Sequence, residues 1–515
     1  MKNIYIRYII CGLSAVLILF FSFYTSIEFL LNFADDDSFF YIKTAYNFSA
    51  GFGSTFDRVD ITNGYHPLWF LVLSLYFFIL NFFLNFTPEL YYRLTVILIL
   101  VINFFTVYSL FLFFKNSNNN DSGRQILLFV PLFLTFVAIR DFGMETHLLC
   151  LITSIYLLVK SREVSSGKNS YTYKGILLAL IFLTRIDYLF TVIPVLIISD
   201  MIVTPLQYRK KYLYVSLLSL LIVASLYFSS NWIFFKEILP VTAKVKSTFP
   251  ETLFFHNIGK LLEPGAFSNQ FIKTVYTSGV IVLFLLLSLK EKFKKTFDKT
   301  DYFLFGVCCA CFVYLLLNIL INKHALKEWY VAFPAFVSSL LLVRMIILFP
   351  KVYYFSLIIF ISMFIFMFCV TRIQNPKWNS AYYYSKEINK NTTDEDRIFM
   401  IDLSGIIGFF SERKIINGDG LINSYEYQEY LSSNNLTKYF TDRKIDYYST
   451  YSQDNAPFEM IDSSGYYIDE KYSNTFGNYP FVFPGKDLKL KFPYYYSYII
   501  GNGTGYWYLF KLRDQ

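Results

Sequence analysis

Three consecutive carboxylates, Asp35, Asp36 and Asp37, followed by Ser38, Phe39 and Phe40, form the most chemically loaded stretch of the chain. Like charges this close raise the pKa of at least one member, which suits a general base, and the same crowding attracts a divalent cation. The competing structural role is helix capping, in which acids and a serine satisfy the first N–H groups and complement the dipole. Further ionisable residues stand at the edges of apolar runs: His66 before Pro67 and Trp69; Arg140, Asp141 and Glu145; Arg185 and Asp187; Lys236, Glu237, Lys244 and Lys246 around Pro240; Lys323, His324, Lys327 and Glu328 before Trp329. Charges at such places are costly in a bilayer and mark function by default, although lysines and arginines near helix ends also serve as snorkelling anchors. Together they suit proton removal from an acceptor hydroxyl by a carboxylate, with Arg and Lys stabilising a departing phosphate. No close His or Cys spacing points to a transition-metal site.

The elements that must position these residues are apolar helices. Of 515 residues, 55% are hydrophobic, 21% aromatic and only 16% charged, against about 25% charged in ordinary globular domains. Apolar runs recur from residue 9 to residue 371, several near the ~20 residues a spanning helix needs, and none alternates as a β-barrel strand would. The reading is an α-helical polytopic membrane protein with about 11–13 transmembrane helices. The first run follows Lys2 and Arg7, extends beyond a signal-peptide core and lacks a small-residue cleavage site, so it reads as an uncleaved anchor with a cytoplasmic amino terminus. Basic clusters at 160–174, 209–211 and 290–301 then lie inside, and every candidate residue above falls outside. One stretch conflicts: residues 67–114 contain two apolar runs yet must cross an odd number of times, so one run is re-entrant or broken.

Charge also divides the chain. Of its 46 basic and 38 acidic residues, 34 of 84 lie in the last 144 positions and 50 in the first 371. The first part, 1–371, is read as the multi-spanning domain, with 33–66 its first extracytoplasmic loop. Residues 372–515 form a soluble extracytoplasmic mixed α/β domain, long enough to bury its own core. All six cysteines lie in apolar segments, which excludes a disulfide-stapled module. The net charge of +8 is carried by the membrane part and includes no basic groove for nucleic acid. Tyrosines such as Tyr382–Tyr384 and Tyr494–Tyr496 suit stacking on sugar faces, although their abundance favours ordinary interface roles.

The run Asp36-Asp37-Ser38-Phe39-Phe40-Tyr41-Ile42-Lys43-Thr44-Ala45-Tyr46-Asn47, with Gly51 and Gly53, resembles the first extracytoplasmic loop of bacterial GT-C superfamily membrane glycosyltransferases, particularly the arabinofuranosyltransferase-like group. Gly64 to Trp69, Gly143 to Thr146, Leu183 to Asp187 and Leu239 to Lys244 are similar, in order, to motifs of that group, and Asp402 to Phe410 with Asp419 to Asn423 resemble the start of its outer domain. The chain departs from the pattern at Lys43 where Arg is usual, at Ile186 for Pro and at Val241 for Asn.

The resemblance implies inverting transfer of a sugar from a polyprenyl-phosphate donor to a glycan, lipid or protein acceptor outside the bacterial cytoplasmic membrane, in envelope glycan biosynthesis. Asp36 or Asp37 would be the base. Lys244, Arg185 or Lys327 would hold the phosphate, and His66, Glu145, Asp187 and Trp329 would complete the substrate site. No cofactor is required; a divalent cation, if used, would sit at Asp36 and Asp37. The rival reading is a polytopic transporter or lipid-linked sugar flippase, against which a large outer domain and the lack of matching halves speak. A third is a scaffold whose carboxylates only cap helices.

Overall fold

The computed structural model describes residues 16–117, 141–167, 169–248, 250–262, 278–279, 281–282, 286, 299–322, 328–348, 376–433, 435–452, 458–462, 465–474, 477–497 and 502–512. Residues 16–24 are helical and lead to α1 (Ile27–Leu31), capped by Ser26, whose hydroxyl accepts the Phe29 N–H. Two helices of 14 residues follow, α2 (Asp36–Ser49) and α3 (Pro67–Leu80). After them come α4 (Pro88–Ser117), α5 (Thr146–Ser166), α6 (Tyr171–Thr184), a 3-10 turn at Ile186–Leu189, α7 (Val192–Val203), α8 (Leu206–Phe235), α9 (Val241–Lys246), α10 (Phe254–Leu262), α11 (Lys299–Ile321) and α12 (Glu328–Leu348). Helices α4, α8 and α11 are long and apolar enough to cross a membrane, and α3, α6, α7 and much of α12 are shorter apolar helices. The described chain is thus mostly helical and of membrane type. The apolar runs at 126–139 and 352–371 and most of 275–289 lie outside the described residues, as do Cys11 and Cys369.

Contacts sort the helix ends into two poles. At one, Glu145 before α5 meets Arg185 after α6, and Lys246 of α9 lies over Trp329 of α12. At the other, Lys160 and Glu163 of α5, Lys174 of α6 and Asp200 of α7 form one buried cluster: Lys174 donates to Glu163 at 2.7 Å and to Asp200 at 2.8 Å, and Lys160 also binds Asp200. Tyr156 donates to Asp200 at 2.9 Å. Arg344 of α12 binds Asp301 of α11 with two hydrogen bonds at the same pole, at 2.6 and 2.9 Å. Charges this deep persist because each has several partners; a lone one would be strongly destabilising.

The two-run conflict at 67–114 resolves in geometry. Helix α3 begins at His66, beside Ile186, and ends at Asn81, which donates to Ser49 of α2 and accepts from Tyr91 of α4. Both ends of α3 are therefore at the first pole. Fourteen residues rise only about 21 Å, short of the ~30 Å hydrocarbon core, and Leu71, Leu75, Phe78 and Ile79 leave an apolar face exposed. Of the two runs, only α4 is long and apolar enough to cross a membrane.

All described strands lie beyond residue 396. After α13 (Pro376–Asn391) come β1 (Arg397–Met400), α14 (Ser404–Ser411), β2 (Lys414–Asn417), α15 (Tyr425–Ser432), α16 (Leu436–Asp442), β3 (Tyr447–Ser452), β4 (Phe458–Asp462), β5 (Gly465–Asn474), β6 (Gly477–Ser497) and β7 (Asn502–Leu512). They form one sheet ordered β2-β1-β3-β7-β6-β5-β4. Strand β1 runs parallel to β2 and β3, and the remaining neighbours are antiparallel. The period-2 alternation of side chains divides the sheet between two cores. Phe399, Ile416, Tyr448 and Phe510 face Tyr427, Tyr439 and Phe440 of α15 and α16. Ile398, Met400, Ile415 and Tyr447 face the other way, in a core continuous with the membrane helices.

Helix α14 makes that continuity. All eight of its residues are buried, and Phe409 and Phe410 pack on Phe39 at 5.6 and 5.3 Å between ring centroids. Helix α2 holds α14 at both ends. The Asp36 carboxylate accepts the N–H groups of Gly405 (3.2 Å) and Ile406 (2.8 Å), and Lys43, two turns along, donates to the Arg413 carbonyl at 2.8 Å. A carboxyl at the helix start and an amine at its end both stand where the helix dipole favours their charged forms. Gly405 is required there, because a Cβ would collide with the Asp36 backbone carbonyl.

Candidate active site

The turn from Thr62 to His66 is where the pieces of the first pole meet. Thr62 donates its hydroxyl to the Asn423 carbonyl at 3.0 Å, and Asn63 accepts the first N–H of α9, that of Val241, at 3.0 Å. Gly64 lies so close to the Leu421 carbonyl that no side chain fits between them. His66 accepts the Ile186 N–H at Nδ1 (3.5 Å) and points Nε2 at Glu145, 3.6 Å away. Burial holds the His66 pKa below its ordinary value despite the Glu145 charge, so the ring is neutral at pH 7, and Nε2 carries the proton if Nδ1 accepts.

Arg185 is the centre of the buried part. It donates from Nη1 to Glu145 at 2.9 Å and, in a fork, from Nε and Nη2 to Asp187 at 3.2 and 3.1 Å. Its guanidinium lies 5.3 to 5.8 Å from the ring centroids of Tyr330, Tyr188 and Tyr314. Glu145 is only 1% exposed, and its Oε2 has no hydrogen-bond partner; neither have the buried hydroxyls of Tyr188 and Tyr314. Trp69 is buried, and its indole donates to the Gly143 carbonyl at 2.5 Å. Gly143 sits at φ +113°, where a Cβ would also strike Ser38, so this loop is fixed against the start of α2.

The exposed rim carries the other charges. Asp37 faces Lys246, with Nζ and Oδ2 4.0 Å apart and side chains 19% and 22% exposed. Burial opposes the charge on Lys246, yet Tyr330, Asp37 and Asp419 together hold its pKa above the ordinary lysine value. Asp36, next in sequence, is raised well above the usual carboxylate range by burial, with the Asp402 and Asp37 charges adding and the Ile406 N–H opposing. Thus the structure separates two neighbouring acids that sequence alone leaves equivalent.

Of the residues singled out from sequence, Asp37, His66, Glu145, Arg185, Asp187 and Trp329 come together here, with Asp36 at the edge in a docking contact. Lys244 lies apart, exposed, with Nζ 5.8 Å from the Tyr425 ring centroid. Its neighbour Lys246 takes the inner position, because residues two apart on a helix face different ways. Lys327, with Arg140, Lys323 and His324, lies outside the described residues. Among the described residues, no group of three or more His, Cys, Asp or Glu is arranged to hold a metal ion. Tyr188, Tyr314 and Tyr330 are indistinguishable in sequence from the other tyrosines of apolar helices, and Asp419 stands out only within the segment Asp419 to Asn423 that resembles the start of an outer domain, with no site role attached.

No protein-family model matches the chain, and no curated protein matches its sequence. The chemistry therefore rests on the residues themselves.

Asp419 belongs to the loop seated on Gly64. Its Oδ1 accepts the Leu421 N–H at 2.8 Å, and burial, with the Asp37 charge added, pushes its pKa up to about 7 from 3.8. A carboxyl raised in the folded chain favours folding while protonated. That advantage is complete below the unfolded pKa of 3.8 and is lost as pH rises through about 7. Asp419→Asn keeps the acceptor and removes the titration. Melting temperatures in detergent between about pH 5 and pH 8 should therefore fall less in the variant than in the parent; superimposable curves would show an ordinary carboxylate.

Proposed function

We propose that this chain is a membrane glycosyltransferase that takes a sugar from a polyprenyl-phosphate donor and passes it, with inversion, to an acceptor hydroxyl at the membrane surface. The observation that carries the reading is the division of labour between Asp36 and Asp37. The first is occupied in docking α14, and the second faces Lys246 on a partly exposed rim. Asp37 is the base and Lys246 the phosphate ligand. The acceptor oxygen attacks the anomeric carbon as its proton passes to Asp37; the bond from that carbon to the phosphate oxygen breaks, and the electron pair leaves with the polyprenyl phosphate, whose charge Lys246 meets.

Surface location supports the same reading, since a lipid-linked donor delivers its phosphate at helix ends, and the short helix α3 lies along that level with an apolar face. On this reading the first pole is extracytoplasmic, in a bacterial cytoplasmic membrane, beneath the α/β domain. The fuller set of 11–13 spans and the GT-C architecture belong to the proposal too. A divalent cation enters only if transfer requires one, which added chelator would reveal.

The test uses the full chain in lipid vesicles with a panel of synthetic polyprenyl-phosphate pentoses and hexoses, following release of polyprenyl phosphate and the anomer formed on a glycan acceptor. Inverted product supports the reading. Passage of the donor across the bilayer with no glycosylated product would replace it by the transport reading.

A further inference from the structure

Three buried polar atoms around Arg185 have no hydrogen-bond partner: Glu145 Oε2, the Tyr188 hydroxyl and the Tyr314 hydroxyl. They belong to one neighbourhood. Tyr188 and Tyr314 pack edge to face with centroids 4.9 Å apart, both rings border the Arg185 guanidinium, and Arg185 binds the other oxygen of Glu145 at 2.9 Å. Buried polar groups are overwhelmingly paired, and each one left unpaired is destabilising. Three at one spot point to a molecule that completes them.

Charge and shape narrow what that molecule is. Arg185 is spent on two carboxylates, and His66 is neutral, so Glu145, Asp187 and Arg185 together leave one surplus negative charge. A phosphate is repelled there and finds its cation at Lys246 on the rim. A neutral group rich in hydroxyls fits: one hydroxyl donates to Glu145 Oε2, others exchange hydrogen bonds with the two phenols, and the rings of Tyr188, Tyr314 and Tyr330 offer flat apolar faces to C–H groups.

We infer that Glu145, Tyr188 and Tyr314 form the subsite for the sugar ring of the donor, binding at least two of its hydroxyls while its phosphate stays at Lys246. This rests on the glycosyltransferase reading and adds an orientation: ring inward beside Arg185, phosphate outward, anomeric carbon near Asp37. His66 (21% exposed) and Asp187 (38%) border the approach.

Tyr188→Phe and Tyr314→Phe test it without disturbing shape. Each deletes a hydroxyl that has no partner in the protein, so melting temperature in detergent should hold or rise, while affinity for the sugar-bearing donors falls about 2- to 12-fold per variant, the loss of one neutral hydrogen bond. Free polyprenyl phosphate, which carries no sugar, is the control ligand and should bind parent and variants alike. Lower melting temperatures with unchanged donor affinity would overturn the subsite, since buried water then completes the hydroxyls. Equal weakening toward free polyprenyl phosphate would overturn it as well. If the parent chain binds neither ligand, it is the glycosyltransferase reading that falls. If the parent transfers sugar and both variants discriminate donors as it does, only the subsite is lost.

Discussion

Asp37→Asn lowers the rate of sugar transfer by about 10²–10⁴-fold, the usual worth of a positioned general base, while melting temperature in detergent stays near that of the parent. The side chain is partly exposed and the Lys246 ammonium is 4.0 Å away, so little folding energy depends on that pair. Asparagine preserves size and can still accept from Lys246, but it cannot take up a proton at the moment the acceptor oxygen attacks. Binding of the donor should therefore survive. Asp36→Asn is the informative contrast. That carboxylate spans two N–H groups at the start of α14, so its loss loosens the docking of the α/β domain, and the first change to look for is faster proteolytic release of the segment from residue 376 onward. If Asp36→Asn abolished transfer with docking and melting unchanged while Asp37→Asn remained active, the two assignments would exchange.

That contrast shows where sequence reading stops. The motif Asp35-Asp36-Asp37 announces chemistry; of the two roles considered for it, capping is present at Asp36, and acid-base work is the role we propose for Asp37. The helix that Asp36 caps, however, is not the one it begins; it is α14, nearly 370 residues away. No local pattern encodes that. Lys43 is a similar case. Against the motif it resembles, it stands where Arg is usual; in the structure it is the clamp beyond the far end of α14, where a single amine reaching one carbonyl suffices. Charge bookkeeping along the loops agrees with the described candidate residues lying at one pole, because the ends of helices carry that information in the sequence itself: Lys160 and Lys174 gather opposite Arg185 and Lys246. What bookkeeping overstated was the independence of single basic residues. Lys244 and Lys246 differ only by the turn of a six-residue helix, and the phase of so short a helix is set by Asn63 holding its first N–H, a tertiary contact. The tyrosines around Arg185 were illegible for a different reason. In a chain with 44 tyrosines, only their missing hydrogen-bond partners distinguish Tyr188 and Tyr314, and a missing partner is visible only in three dimensions.

Arg185→Met should destabilise the chain by about 3–5 kcal/mol, the cost of leaving a buried charge without its partner. The charge in question is Glu145, 1% exposed; the half-open pairing with Asp187, 38% exposed, contributes little to that figure. His66, whose Nε2 stands 3.6 Å from the same oxygen, offsets only part of this, since burial opposes its charge. Arg185→Met with Glu145→Gln should recover most of the lost stability, because the second change removes the stranded charge rather than restoring the bond. Arg185→Lys should fall between: an ammonium reaches one carboxylate but cannot bridge two across a planar fork. Unfolding followed by tryptophan fluorescence in detergent measures all three, and a double-mutant cycle isolates the coupling. The alternative role read from sequence, in which Arg185 grips the donor phosphate, makes the opposite prediction for both observables. Arg185→Met would then keep its melting temperature and lose donor affinity, and free polyprenyl phosphate would bind as poorly as the intact donor. A loss of stability with polyprenyl phosphate binding retained places Arg185 as the residue that positions Glu145 for the sugar, and leaves the phosphate to Lys246.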